Sequence, residues 1–152
     1  MNEVIRLLQQ HRSIRKFKPM ALSPEQLDAV VSSAQAASTS SNVQAYSIVT
    51  VTDPALKQEL ARLAGNQDYV AHNGAFLVFC ADLHKLQLAT LKHNEPFHQN
   101  TESFLVATVD AALAAQNAAV AAESLGLGIC YIGGIRNDPA GVSRFLELPE
   151  LV

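Results

Sequence analysis

The segment from about Glu102 to Leu125 constrains the fold more than any other part of the chain: it is dense in alanine, free of proline and glycine, and helical in pattern. At about 1.5 Å per residue it runs roughly 35 Å, the span of a small domain. Val106, Val109, Leu113, Gln116, Val120 and Leu125 fall on or near its apolar side. A helix apolar almost all round is buried on most sides, and its alanines allow close approach by neighbours. A chain of 152 residues can hardly bury it alone. Two arrangements meet the demand: a second copy covers one face in a homodimer, or the helix is the central core element of a monomer. Asp110, Gln116, Asn117 and Glu123 interrupt the apolar run, so it is not expected to cross a bilayer, which takes about 20 apolar residues.

The chain is 49% hydrophobic and 16% charged, which places it among globular proteins with one real core. A formal net charge of -3 and a pI near 5.9 give no global field toward nucleic acid or acidic membranes. The first apolar segment is broken by Arg6, Gln9, Gln10 and Arg12, unlike a signal peptide, and the expected location is cytoplasmic. Cys80 and Cys130 each lie within an apolar segment, far apart, as reduced thiols do. His84, His93 and His98 have no zinc-ligand spacing, and no metal site is expected.

The periodicity predicts a short helix over 2–10, from Val4, Ile5, Leu7 and Leu8. Ser23-Pro24-Glu25-Gln26 is a capping box with proline at the first helical position, opening a helix to about Ala37. Tyr46–Thr52 alternates and is β-branched, hence a strand. Asp53-Pro54 starts another helix, with Leu56, Leu60 and Leu63 as its stripe and Gly65 as its left-handed terminator. Residues 66–69 read as a polar connection. The run Phe76–Ala81 reads as a strand covered on both faces, in the middle of a sheet. Residues 83–100 lose all pattern and are expected to be a loop or irregular helix. After Gly126 and Gly128, Ile129–Ile132 reads as a strand leading into Gly133-Gly134. Asp138-Pro139 caps a last helix, and the apolar residues after Pro149 suggest a strand about to begin, as if the chain were cut short. The order implies one α/β or α+β domain.

Chemistry concentrates in His11-Arg12-Ser13-Ile14-Arg15. Guanidiniums, a hydroxyl, an imidazole and backbone N–H groups converging from one turn suit a phosphate; a solvated basic turn is the plain alternative. Ser38–Ser41 is a hydroxyl-rich loop, readable as a linker or as a ligand wall. The glycines of the segment 126–134 fail the dinucleotide fingerprint.

These features, with Gln67, Tyr69, the helix ending Ala121-Ala122-Glu123-Ser124-Leu125-Gly126-Leu127-Gly128 and the segment Tyr131–Asn137, closely resemble the nitroreductase family. More narrowly, they are similar to its oxygen-insensitive NADPH-dependent nitroreductases and NADPH-flavin oxidoreductases. The resemblance extends over essentially all of residues 1–152, as a single FMN-binding domain. It implies an α+β fold, a mixed sheet flanked by helices around the long Ala-rich helix, in a homodimer with FMN at the subunit interface. Carried over by position, His11, Arg12, Ser13 and Arg15 would hold the FMN phosphate, ribityl chain and pyrimidine edge. Thr39, Gln67 and Tyr69 would add contacts, and Tyr131, Ile132, Gly133 and Gly134 would run along the ring near N5.

The implied reaction is electron transfer from NADPH, or NADH, through FMN to nitroaromatics, quinones or free flavin in ping-pong order, with Arg15 tuning the flavin. The partners implied are a second copy of the chain and small aromatic acceptors. Family members continue beyond the pattern matched here, with further basic residues around the phosphate and an extension embracing the partner, so the chain is expected to lack the family's C-terminal part. A truncated or repurposed module that binds flavin or dimerises without turnover is the alternative.

Overall fold

The computed structural model describes residues 2–152. Helix α1 spans Glu3–Gln9 and α2 Pro24–Gln35; a 3-10 turn at Ser40–Asn42 precedes β1, Tyr46–Val51. Then come α3 (Pro54–Leu63), α4 (Asp68–Ala71), β2 (Phe76–Ala81), α5 (His84–Lys92) and α6 (Thr101–Ser124). A second 3-10 turn, Gly133–Arg136, and α7, Pro139–Phe145, complete the order. The capping box of α2 forms as the sequence predicts, Ser23 Oγ accepting from Gln26 N and Gln26 Oε1 accepting from Ser23 N. Asp53 caps α3 one way, its Oδ1 accepting from Ala55 N and Leu56 N, and Gly65 follows the helix with φ +87°.

The strands pair antiparallel, with Tyr46 opposite Ala81 and Val51 opposite Phe76. Their side chains alternate between two cores. Val49, Val51, Phe76 and Val78 face α3, α4 and α7, where Leu60 and Val70 are fully buried. Ile48, Leu77 and Phe79 face the other way, onto α2 and α6. β2 is thus covered on both faces, as its continuous apolar run implies, yet it is not the middle of a sheet, since among the described residues it pairs with β1 alone. Residues 129–132 do not form a strand either: their only ladder contact is a parallel bridge between Ser13 and Ile129, with Ile14 N donating to Ile129 O at 2.8 Å. Beyond Ile129 the segment has no ladder partner among the described residues, and at Gly133 the backbone turns into a 3-10 coil. α4 lies in a stretch read as a connection, and α5 realises the helical alternative for 83–100; α5 lacks a side-chain N-cap, which is why no start signal marks it. Residues 148–152 form a turn, Leu83 N donating to Leu151 O at 3.0 Å.

α6 is the spine, but its buried side is not the one the large residues suggest. Ala111, Ala114, Ala118 and Ala122 pack against α2 and the sheet, while Val109, Leu113 and Leu125 are exposed with Phe104 and Leu105. Small side chains let α2 approach, with Ala34 wholly buried in the contact. By length and composition alone α6 is apolar enough to cross a membrane, its best window having mean hydropathy 1.5, a test that core helices also pass. Its packing and the buried Asp110 on its alanine stripe make it the core helix of a globular domain.

Candidate functional site

The basic turn follows α1 directly and lies against the segment after α6. The Ser13–Ile129 bridge clamps it there, and the approach is close: a Cβ on Gly128 would stand 3.0 Å from Ile14 Cβ. His11 Nδ1 meets Glu123 Oε1 at 2.8 Å, tying the turn to the last turn of α6. Arg12, Ser13 and Arg15 are exposed. Among the described residues neither guanidinium has a hydrogen-bond or ion-pair partner, so both are free to take an anion.

The same 128–134 segment carries the second wall. Gly134 packs so tightly on the end of α3 that a Cβ would overlap the Ala64 carbonyl and Gln67 Nε2. Gln67 Nε2 donates to Ala64 O at 2.7 Å, and the Tyr69 hydroxyl donates to Gln67 Oε1. Gln67, Tyr69, Ile132 and Gly134 therefore belong to one cluster, Ile132 and Tyr69 packing on the core beneath. The two glycines have different duties. Gly134 lacks a side chain to fit its own protein, whereas Gly133 faces nothing nearer than the Arg136 guanidinium, 3.4 Å from a Cβ placed there, and keeps its backbone open. Tyr131 is half exposed and donates to Gln116 Oε1 at 3.3 Å. Its phenol is pushed above its ordinary pKa, first by burial and then by the Glu123 carboxylate.

Thr39 stands apart from these walls. Its loop is pinned by Asp110, whose carboxylate accepts from Ser40 N at 3.0 Å and Ala45 N at 3.1 Å. Asp110 and Glu123, the two posts on α6, are separated by roughly 20 Å of helix at 1.5 Å per residue. The structure joins the basic turn, segment 128–134 and Gln67-Tyr69, and leaves Thr39 at the far end of the spine. Asp110 and Glu123 were both missed as site-shaping residues, although a carboxylate on an alanine stripe must find donors and so carries a signal of its own.

The family model for the nitroreductase family matches residues 8–152. The chain belongs to the nitroreductase family. A curated relative, the FMN reductase (NADPH) of Bacillus subtilis, is 57% identical over 155 residues, covering 100% of this chain and 62% of its own. The NADPH-flavin oxidoreductase of Vibrio harveyi is 45% identical, covering 99% of this chain and 61% of its own. Among solved structures, a nitroreductase from B. subtilis superimposes with a TM-score of 0.96 at 54% identity, covering 98% of this chain and 62% of that one. The NADPH:FMN oxidoreductase from V. harveyi complexed with NAD+ gives 0.90 at 44% identity, covering 98% and 64%. The chain thus spans somewhat over 60% of the length of these nitroreductase-family relatives.

Proposed function

We propose that this chain forms the FMN-binding part of an NADPH-dependent flavin reductase that passes electrons to free flavin, nitroaromatics or quinones. The observation that carries the reading is the pair of unpartnered guanidiniums, Arg12 and Arg15, on a turn clamped to the segment that ends in the open backbone of Gly133. The donor set fits the cofactor: charged donors and a hydroxyl for a phosphate, and a glycine backbone with room for a flat ring.

Bound FMN supplies a centre that accepts hydride from NADPH and releases electrons to an acceptor afterwards, in ping-pong order. Arg12, Ser13 and His11 bind the phosphate and ribityl chain. Arg15 sets positive charge beside the pyrimidine edge, where reduced flavin carries its negative charge. Gly133 presents backbone near the ring without a side chain in the way, and Gly134 holds that backbone to Gln67 and α3. The names of the similar proteins from B. subtilis and V. harveyi support both FMN and NADPH.

The exposed face of Leu105, Val109 and Leu113 on α6 supports a homodimer, with Thr39 reaching a site from the end of α6 remote from the basic turn. Two free cysteines accord with a reducing, cytoplasmic setting. The test is the visible spectrum of the purified chain, followed by NADPH oxidation with added FMN, nitrofurazone or a quinone. A flavin spectrum and acceptor-dependent oxidation are expected. Protein that takes up no FMN overturns the reading, and bound FMN without NADPH oxidation favours a flavin-binding module without turnover.

A further inference from the structure

We propose that Glu123 is a positioning residue: its carboxylate holds His11 by Nδ1, which fixes the ring tautomer and leaves Nε2 as the nitrogen presented to the bound cofactor. The inference rests on the FMN reading above. Glu123 Oε1 lies 2.8 Å from His11 Nδ1, and the glutamate side chain is 13% exposed against 42% for the histidine. An ionised carboxylate only accepts, so the shared proton belongs to Nδ1. Nε2 then has no protein partner among the described residues. An apolar side chain in place of Glu123 would offer Nδ1–H no acceptor and leave the ring free to exchange tautomers; a carboxylate does not.

The position of Glu123 argues that the contact is selected for more than helix stability. It sits in the last turn of α6, which contains no basic residue, and a negative charge at a helix C-terminus opposes the helix dipole. A local rule broken at a site is the mark of a residue kept for function. Glu123 also acts on the other wall, where it adds to burial in raising the Tyr131 phenol, and Gln116 receives the Tyr131 hydroxyl about two turns earlier on the same helix face. Both walls of the site are therefore registered on one side of α6, with His11 the only wall residue oriented through a charged group.

The test uses ring-nitrogen NMR of the chain without cofactor, together with FMN titration. In the wild type, the neutral His11 ring should show a protonated Nδ1 and an unprotonated Nε2. In Glu123→Ala the preference should move to Nε2–H, and FMN affinity should fall about tenfold, the scale seen when outer-shell partners of ligating groups are lost. Glu123→Gln, which keeps an acceptor for Nδ1–H, should recover most of both. In a His11→Ala background, Glu123→Ala should cost no further affinity. A ring that keeps its tautomer in Glu123→Ala, or an affinity loss of equal size without His11, overturns the positioning role. Wild-type chain that binds no FMN overturns the proposed function instead, whatever the tautomer shows.

Discussion

The Asp110 carboxylate on α6 and the Ala45 amide ahead of β1 meet at 3.1 Å in the interior, 65 residues apart in sequence. The other carboxylate oxygen takes Ser40 N at 3.0 Å, so one side chain shapes the whole 40–45 loop, which includes left-handed residues Ser41, Asn42 and Gln44. Asp110→Ala leaves two N–H groups without acceptors and should cost about 2–5 kcal/mol, read by urea unfolding. Asp110→Asn keeps one acceptor and should cost less, on the order of 1–3 kcal/mol. Equal stability of Asp110→Ala and wild type would show that the loop holds itself.

Gly134→Ala places a methyl group into the Ala64 carbonyl and Gln67 amide. Rigid backbone on one side means that Gln67 or the 3-10 turn must shift. We expect a loss of about 1–3 kcal/mol in thermal unfolding, the usual scale of overpacking, and weaker FMN retention. A variant as stable as wild type would refute the close packing.

Arg12→Ala and Arg15→Ala should separate binding from stability. Neither guanidinium has a partner among the described residues, so unfolding free energy should stay within about 0.5 kcal/mol of wild type. FMN affinity should fall by roughly 10- to 100-fold for each, as a charged hydrogen bond of about 1.5–3 kcal/mol is lost. Arg15→Ala should also slow reduction by NADPH in stopped flow. Unchanged affinity and rate would remove these residues from the site.

The Cys80 thiol is pushed up to about 11, by burial first and by the Asp82 carboxylate second. A folded pKa above the unfolded one means that this thiol's contribution to stability is intact below about pH 9 and is lost as pH rises toward 11. At pH 8 a disulfide exchange reagent should modify half-buried Cys130 well before Cys80, in a Cys80→Ala and Cys130→Ala pair of single variants. Equal rates would contradict the burial.

Leu113→Glu puts a charge on the exposed apolar face of α6, where Leu113 is 43% accessible. If that face joins two copies, light scattering should show the mass halving without loss of helical circular dichroism. A wild-type chain that is already monomeric at micromolar concentration would contradict the dimer.

Element starts were legible where side chains cap backbone, as at Ser23, Asp53 and Asp138, because those signals are local. α5 was not, having no cap. Ile129–Ile132 looked like a strand since β-propensity reports apolar packing, while ladder formation needs a partner, and here only Ile129 has one. The side of α6 that faces inward was misjudged because residue size was weighed over shape: alanines allow the closest approach and won the interior. The basic turn and the glycines stood out by composition. Their joining through Glu123 and Gly134 depends on contacts between distant segments, which no local pattern encodes.

The Ser13–Ile129 bridge also bears on how the molecule is made. Its partners lie far apart in the sequence, and closing a loop of that length costs on the order of 4 kcal/mol in chain entropy before any contact repays it. The contacts of α2 with α6 and of α6 with the sheet must therefore shorten the effective loop first. Until those contacts form, the basic turn stays undocked and exposed. The two walls of the candidate site thus come together only after α2, α6 and the sheet have packed.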